Sequence, residues 1–261
     1  MLEGTEDSLP LHSALSFLRN LAIPPKNRGV LGPMLLKEGV LPRIWELETL
    51  PQVQLAAASV TRLLVVGNKD NVVILLTPLK DGSDRTYLHG VIGLFSRTDD
   101  PAKMEAARAV LAALRTLATT DPGPGSIDVE RVYRDHLDLE PPITHLLTQE
   151  QFPPLRSETF FVLGLLTSRS PEAIPMIQRL LAHREVLGLV KAGIQGSLPE
   201  AKEVNPLEVK PRDPRGEGAL RADRENCLVM VSGVRGAVED EGLKVELEGL
   251  MKEGEDALGK V

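Results

Sequence analysis

The chain has 261 residues, 42% of them hydrophobic and only 3% aromatic, with a formal net charge of -7. That hydrophobic content excludes a wholly disordered chain, and the scarcity of aromatics leaves Leu, Val, Ile and Ala to build the core, which favours helices packed on helices over a sandwich of strands. The acidic balance argues against nucleic acid, whose phosphates need stripes of Lys and Arg, and is compatible with a basic protein partner.

The first ten residues are acidic and polar, unlike a signal peptide, so the expected localisation is cytoplasmic. Residues 11–22 place Leu11, Ala14, Leu15, Leu18 and Leu21 on one stripe of an amphipathic helix. Pro24-Pro25 ends it, because proline blocks helix continuation. Residues 30–37 read as a short helix closing at Gly39, and 41–47 as the next. In Lys37-Glu38-Gly39-Val40-Leu41-Pro42 the glycine lets two helices meet at a sharp angle. After Pro51 a long helix follows over 53–66, with Ala56, Ala57, Val60, Leu63 and Leu64 on its apolar face. The apolar run 72–76 is far too short to span a bilayer, and no insertion into a membrane is expected.

A third long helix runs over 102–119. The segment before it, and Pro122–Ser126 after it, read as loop insertions. Residues 142–147 look like the start of another short helix, and a fourth long helix after Pro153-Pro154 includes Phe160, Leu163 and Leu166. Lys191-Ala192-Gly193-Ile194 reads as a further join between helices. Residues 197–218 carry Pro199, Pro206, Pro211 and Pro214 among mixed charges and read as a mobile loop. Helical periodicity returns over 220–238, where Cys227 reads as a small core hydrophobe. As the one cysteine, Cys227 excludes an internal disulfide framework and fits a reducing compartment. The acidic stretch 239–258 reads as a weak terminal helix, either a solvated cap or a patch for a basic partner.

The long helices superimpose on one another. Leu18-Arg19-Asn20-Leu21-Ala22 matches Thr61-Arg62-Leu63-Leu64-Val65 and Leu114-Arg115-Thr116-Leu117-Ala118. Leu21, Leu64, Leu117 and Leu166 then recur at steps near or somewhat above the roughly 40–47-residue armadillo/HEAT period. The expected fold is therefore an all-α, right-handed superhelical solenoid of the armadillo/HEAT type. Repeats would occupy 1–196, the first incomplete because its leading helix corresponds to the third helix of a repeat. A flexible Pro/charged loop would fill 197–219, and final repeat helices with an acidic cap would fill 220–261.

Catalytic chemistry is not spelled out. The five histidines, His12, His89, His136, His145 and His183, form no His-Glu-x-x-His array, and no nucleophile elbow or phosphate-cradling loop occurs. Asp121-Pro122-Gly123-Pro124-Gly125 reads as a turn, since its prolines remove backbone donors. Asp135 and Asp138 read as surface charges. No catalytic residue, metal or cofactor is expected. A repeat architecture instead offers an extended binding surface, so the expected role is regulatory binding and not enzymatic turnover.

The segment from Ala14-Leu15-Ser16-Phe17-Leu18-Arg19-Asn20-Leu21-Ala22-Ile23-Pro24 through Asn27 resembles the armadillo repeats of the SmgGDS family, the small-GTPase GDP-dissociation stimulators. These carry a similar A-L-R-N-L-A-I-P segment followed by an Asn-Lys pair; here Lys26 precedes Asn27. The likeness continues through Pro51-Gln52-Val53-Gln54 and Thr61-Arg62-Leu63-Leu64, and fits the family's C-terminal half. The resemblance implies a small GTPase of the Rho or Rap type, with a basic C-terminal tail, as partner, and stimulated guanine-nucleotide exchange or chaperoning as function. The partner-binding residues expected on this basis are Asn20, Arg19 and Asn27, with Glu46 and Glu48 facing a basic tail. The alternative is a general armadillo/HEAT scaffold with another protein partner.

Overall fold

The computed structural model describes residues 8–47, 51–79, 83–119, 129–150, 152–198 and 217–258. Every regular element among them is helical, apart from one isolated antiparallel bridge between Pro78 and Thr86. No described helix is long and apolar enough to cross a membrane. The chain divides into two compact units, Met1–Pro142 and Ile143–Val261.

The first unit alternates long helices with pairs of short ones. It contains α1 (Ser8–Ala22), α2 (Pro25–Gly32) continued by a π-helical turn (Pro33–Lys37), α3 (Val40–Trp45), α4 (Pro51–Val65), α5 (Lys69–Leu75), α6 (Tyr87–Arg97), α7 (Asp100–Thr119) and α8 (Val129–Asp135). A 3-10 turn, Leu137–Leu139, leads into α9 (Glu140–Leu147), within which the division between units falls. The long helices pack in sequence, α1 on α4 and α4 on α7. These are the three helices whose sequences superimpose.

Local chemistry sets the boundaries. Pro25 occupies the first position of α2, where its missing N–H costs nothing. Gly39 adopts φ 79 between the π-helical turn and α3, the left-handed geometry the join requires. Gly67, at φ 62, turns the chain after α4, and Asn68 caps α5 by accepting from Asn71 N–H at 3.0 Å. Ala56, Ala57 and Ala58 are all buried along α4, and such small side chains let neighbouring helices come close.

In place of the loop expected before α7 the chain forms α5 and α6. The capping box at Thr86, with its partner three residues on, is the local start signal of α6. Pro122–Ser126 lies outside the described residues.

The second unit contains α10 (Pro153–Arg169), a 3-10 turn (Pro171–Ala173), α11 (Ile174–Ala182), α12 (Arg184–Gln195), α13 (Glu217–Arg235) and α14 (Glu241–Leu258). Helix α13 packs against α10, α12 and α14. Glycines permit that approach. A Cβ on Gly233 would stand 2.5 Å from Thr167 Cβ, and one on Gly193 would stand 2.8 Å from Cys227 Sγ.

Gly193 is accordingly not a join between helices, as its neighbourhood suggested; it lies inside α12 as a contact point for α13. The stop comes at Gly196, where φ reaches 71 and Ser197 N–H donates back to Ala192 O at 2.8 Å. Of the expected loop, residues 199–216 lie outside the described residues, and 217–219 already belong to α13. Helix α14 forms over the acidic stretch, its first turn capped by Asp240, which accepts from Leu243 N–H at 2.7 Å.

Candidate functional site

Arg19 and Asn20 lie in the last turn of α1, and both are exposed. Arg19 aligns with Arg62 of α4, whose Nε donates to Glu105 Oε2 of α7 at 2.8 Å. Arg19 has no ion pair among the described residues, so its guanidinium and the Asn20 amide are offered to solvent side by side. Glu46 is exposed at the end of α3. Glu48 lies outside the described residues.

Asn27 also makes a bond within the protein. It is half-buried in α2, and its Nδ2 donates to Leu21 O of α1 at 2.8 Å. The last carbonyls of a helix lack intrahelical partners, so a side chain from the next element supplies the missing donor. Arg28 extends the same service: Nε donates to Ala22 O at 3.0 Å, one terminal nitrogen to Ile23 O at 2.8 Å, and the other to Val66 O at 2.7 Å.

Asn71 repeats the pattern one step along. Fully buried in α5, it donates from Nδ2 to Leu64 O at 2.8 Å and to Arg28 O at 2.9 Å. Thr116 continues the series, with its hydroxyl 2.9 Å from Val65 O and accepting from Gly67 N–H at 3.0 Å. A polar seam thus runs along the C-terminal ends of α1 and α4 and ties in α7.

At the position of Asn20, α4 carries Leu63 and α7 carries Thr116, so no asparagine repeats there. The repeated one is the pair Asn27 and Asn71, serving the aligned residues Leu21 and Leu64. It stands six residues beyond one leucine and seven beyond the other, and that one-residue slip hides it from an ungapped comparison.

A second polar centre lies at the start of α6. The Thr86 hydroxyl accepts from the backbone N–H of His89, and His89 Nδ1 accepts from Thr86 N–H at 3.0 Å. The same hydroxyl stands 3.1 Å from His89 Nδ1 and 3.3 Å from His136 Nε2. The two imidazole centroids are 4.1 Å apart, with the rings inclined at 48°.

His136 is 1% exposed, and its Nδ1 has no hydrogen-bond partner among the described residues. Burial, and then the neighbouring His89, hold its pKa down to about 4, so the ring is neutral at pH 7. Asp138 brings an exposed carboxylate from the 3-10 turn. One nitrogen of each ring and one oxygen of Asp138 lie within 4.8 Å of one another. Beside His136 opens a cavity of about 200 Å³, walled by Val73, Leu76, Pro78 and Val132, with Asp84 at its edge. This grouping escaped the sequence reading because His89 and His136 lie on different elements far apart in the chain, and neither belongs to a spaced motif.

No protein-family model matches the chain, and none of the curated proteins matches it either.

Proposed function

We propose that this chain is an armadillo-type regulator that binds a small GTPase of the Rho or Rap type, with a basic C-terminal tail, and stimulates its guanine-nucleotide exchange or chaperones it. The observation that carries the reading is the ordered packing of α1, α4 and α7, the helices with superimposable sequences, separated by pairs of short helices. That succession is what a right-handed solenoid of three-helix repeats requires. It accompanies the family-like segment around Ala14–Asn27, and the exposure of Arg19 and Asn20 within it.

The chemistry demanded of such a regulator is modest. Exchange needs neither nucleophile nor metal from the regulator. It needs tighter binding to the nucleotide-free GTPase than to the loaded form, so that binding shifts the equilibrium toward nucleotide release. An asparagine side chain offers two donors and an acceptor to a partner's backbone, and the arginine beside it pairs with a carboxylate. The formal charge of -7 and exposed Glu46 favour a basic tail.

A scaffold role with another partner is the second reading. It is favoured by Asn27, whose amide is spent inside the protein on Leu21 O. Release of fluorescent GDP from a panel of Rho and Rap GTPases tests the first reading. Faster release with the wild-type chain, reduced by Asn20→Ala or Arg19→Ala at unchanged helicity, supports it. Unchanged release across the panel, with no binding to nucleotide-free GTPases, leaves the scaffold.

A further inference from the structure

We propose that His89, His136 and Asp138 form a binding site for a divalent transition-metal ion of the zinc class in the first unit. Two imidazoles and one carboxylate are a donor set that suits zinc and its first-row neighbours, whereas magnesium and calcium are taken by oxygen ligands. The three donor atoms lie within 4.8 Å of one another.

The second observation is the state of His136. It is 1% exposed and its Nδ1 meets no hydrogen-bond partner among the described residues, which leaves a buried polar atom uncompensated. Its other nitrogen faces the Thr86 hydroxyl at 3.3 Å. A ligating imidazole has this arrangement: one nitrogen is fixed by an outer hydrogen bond and the other faces the ion. At His89 the bond runs the other way: Nδ1 accepts from Thr86 N–H at 3.0 Å, and the Thr86 hydroxyl stands 3.1 Å from the same nitrogen. One residue therefore orients both rings.

The elements that carry the donors differ in rigidity. His89 sits in the first turn of α6, held by the capping box, and buried His136 links α8 to the 3-10 turn that follows. Asp138 is exposed and is the arm able to move. Ligand atoms about 2 Å from a shared ion stand about 3.3 Å apart, so the cluster closes on loading, chiefly through rotation of Asp138. Three protein ligands leave a fourth position open to water or to a partner's donor. The ion would clip the start of α6 to the α8–α9 turn.

The test uses the full chain without an affinity tag, stripped with a chelator and then dialysed. Cobalt(II) is titrated while its visible absorption is followed, and zinc affinity is read by competition with a chromophoric chelator. A single site with tetrahedral cobalt absorption is expected. His136→Ala and Asp138→Asn should each weaken zinc binding by about tenfold or more, and Thr86→Val by about tenfold through loss of the orienting bonds. His12→Ala, at an exposed histidine, should leave it unchanged. Asp138→Asn alters only an exposed side chain, so it remains informative if His136→Ala fails to fold. Absence of cobalt absorption, or equal zinc affinity in wild type and Asp138→Asn, overturns the proposal.

Discussion

Arg62 Nε stands 2.8 Å from Glu105 Oε2, and this pair joins α4 to α7 with both side chains largely withdrawn from water. Burial by itself would raise the Glu105 pKa. The hydrogen bonds and charges of Arg62 and Arg108 outweigh it, so the carboxyl titrates below its usual 4.5.

A depressed carboxyl pKa stabilises the fold above the unfolded-state value and loses that contribution as pH falls through the folded-state value. Glu105→Gln should therefore destabilise the first unit by about 1–3 kcal/mol at pH 7. The difference between wild type and variant should shrink as pH falls below 4.5. Urea melts at pH 7 and pH 3, followed through Trp45, check this. Trp45 is the lone tryptophan, 1% exposed in the first unit, so its emission reports that unit.

Asn71 is a fully buried brace in the seam and Gly32 is its seat. A Cβ on Gly32 would fall 1.8 Å from Asn71 Oδ1, so Gly32→Ala displaces the amide from both of its carbonyls. Asn71→Ala should cost about 2–4 kcal/mol, because two acceptors lose their donor. Gly32→Ala alone should cost at least as much. The double variant should be less destabilised than the sum, since the truncated residue 71 no longer meets the new methyl. Denaturant midpoints of the four proteins decide it, and strict additivity would contradict the packing described.

In the second unit, Gly233→Ala should force α10 and α13 apart at Thr167, at a cost of about 1–3 kcal/mol. Cys227 supplies the readout. It is fully buried, and that burial, with Asp223 adding its charge, pushes the thiol above its ordinary pKa. Native wild type should react with a thiol reagent only through opening of the unit, and Gly233→Ala should react several-fold faster.

The long helices α1, α4 and α7 were legible because each carries an apolar stripe, and α10 because Pro153-Pro154 marks its start; all four stand where the sequence puts them, with ends shifted by a few residues. The turn at Gly39 and the stop at Gly196 were legible because left-handed backbone leaves a glycine in the sequence. The short helices α5, α6 and α11 were not. Seven to eleven residues give too few turns for a periodic signal, and their stability comes from packing, which sequence does not display. Gly193 misled for a related reason, since glycine marks close helix contact as well as chain reversal. The histidine centre and the asparagine pair depend on contacts between separate elements, and no local pattern announces them.

The measurement that bears most directly on the account is the affinity of the chain for one Rho or Rap GTPase in its nucleotide-free and GDP-loaded forms, with wild type and Arg19→Glu. The account predicts tighter binding to the nucleotide-free form, by about tenfold or more, and weakening of that binding by Arg19→Glu, with Trp45 emission and helicity unchanged. Equal affinity for the two forms, or no binding to either across the panel, would contradict it.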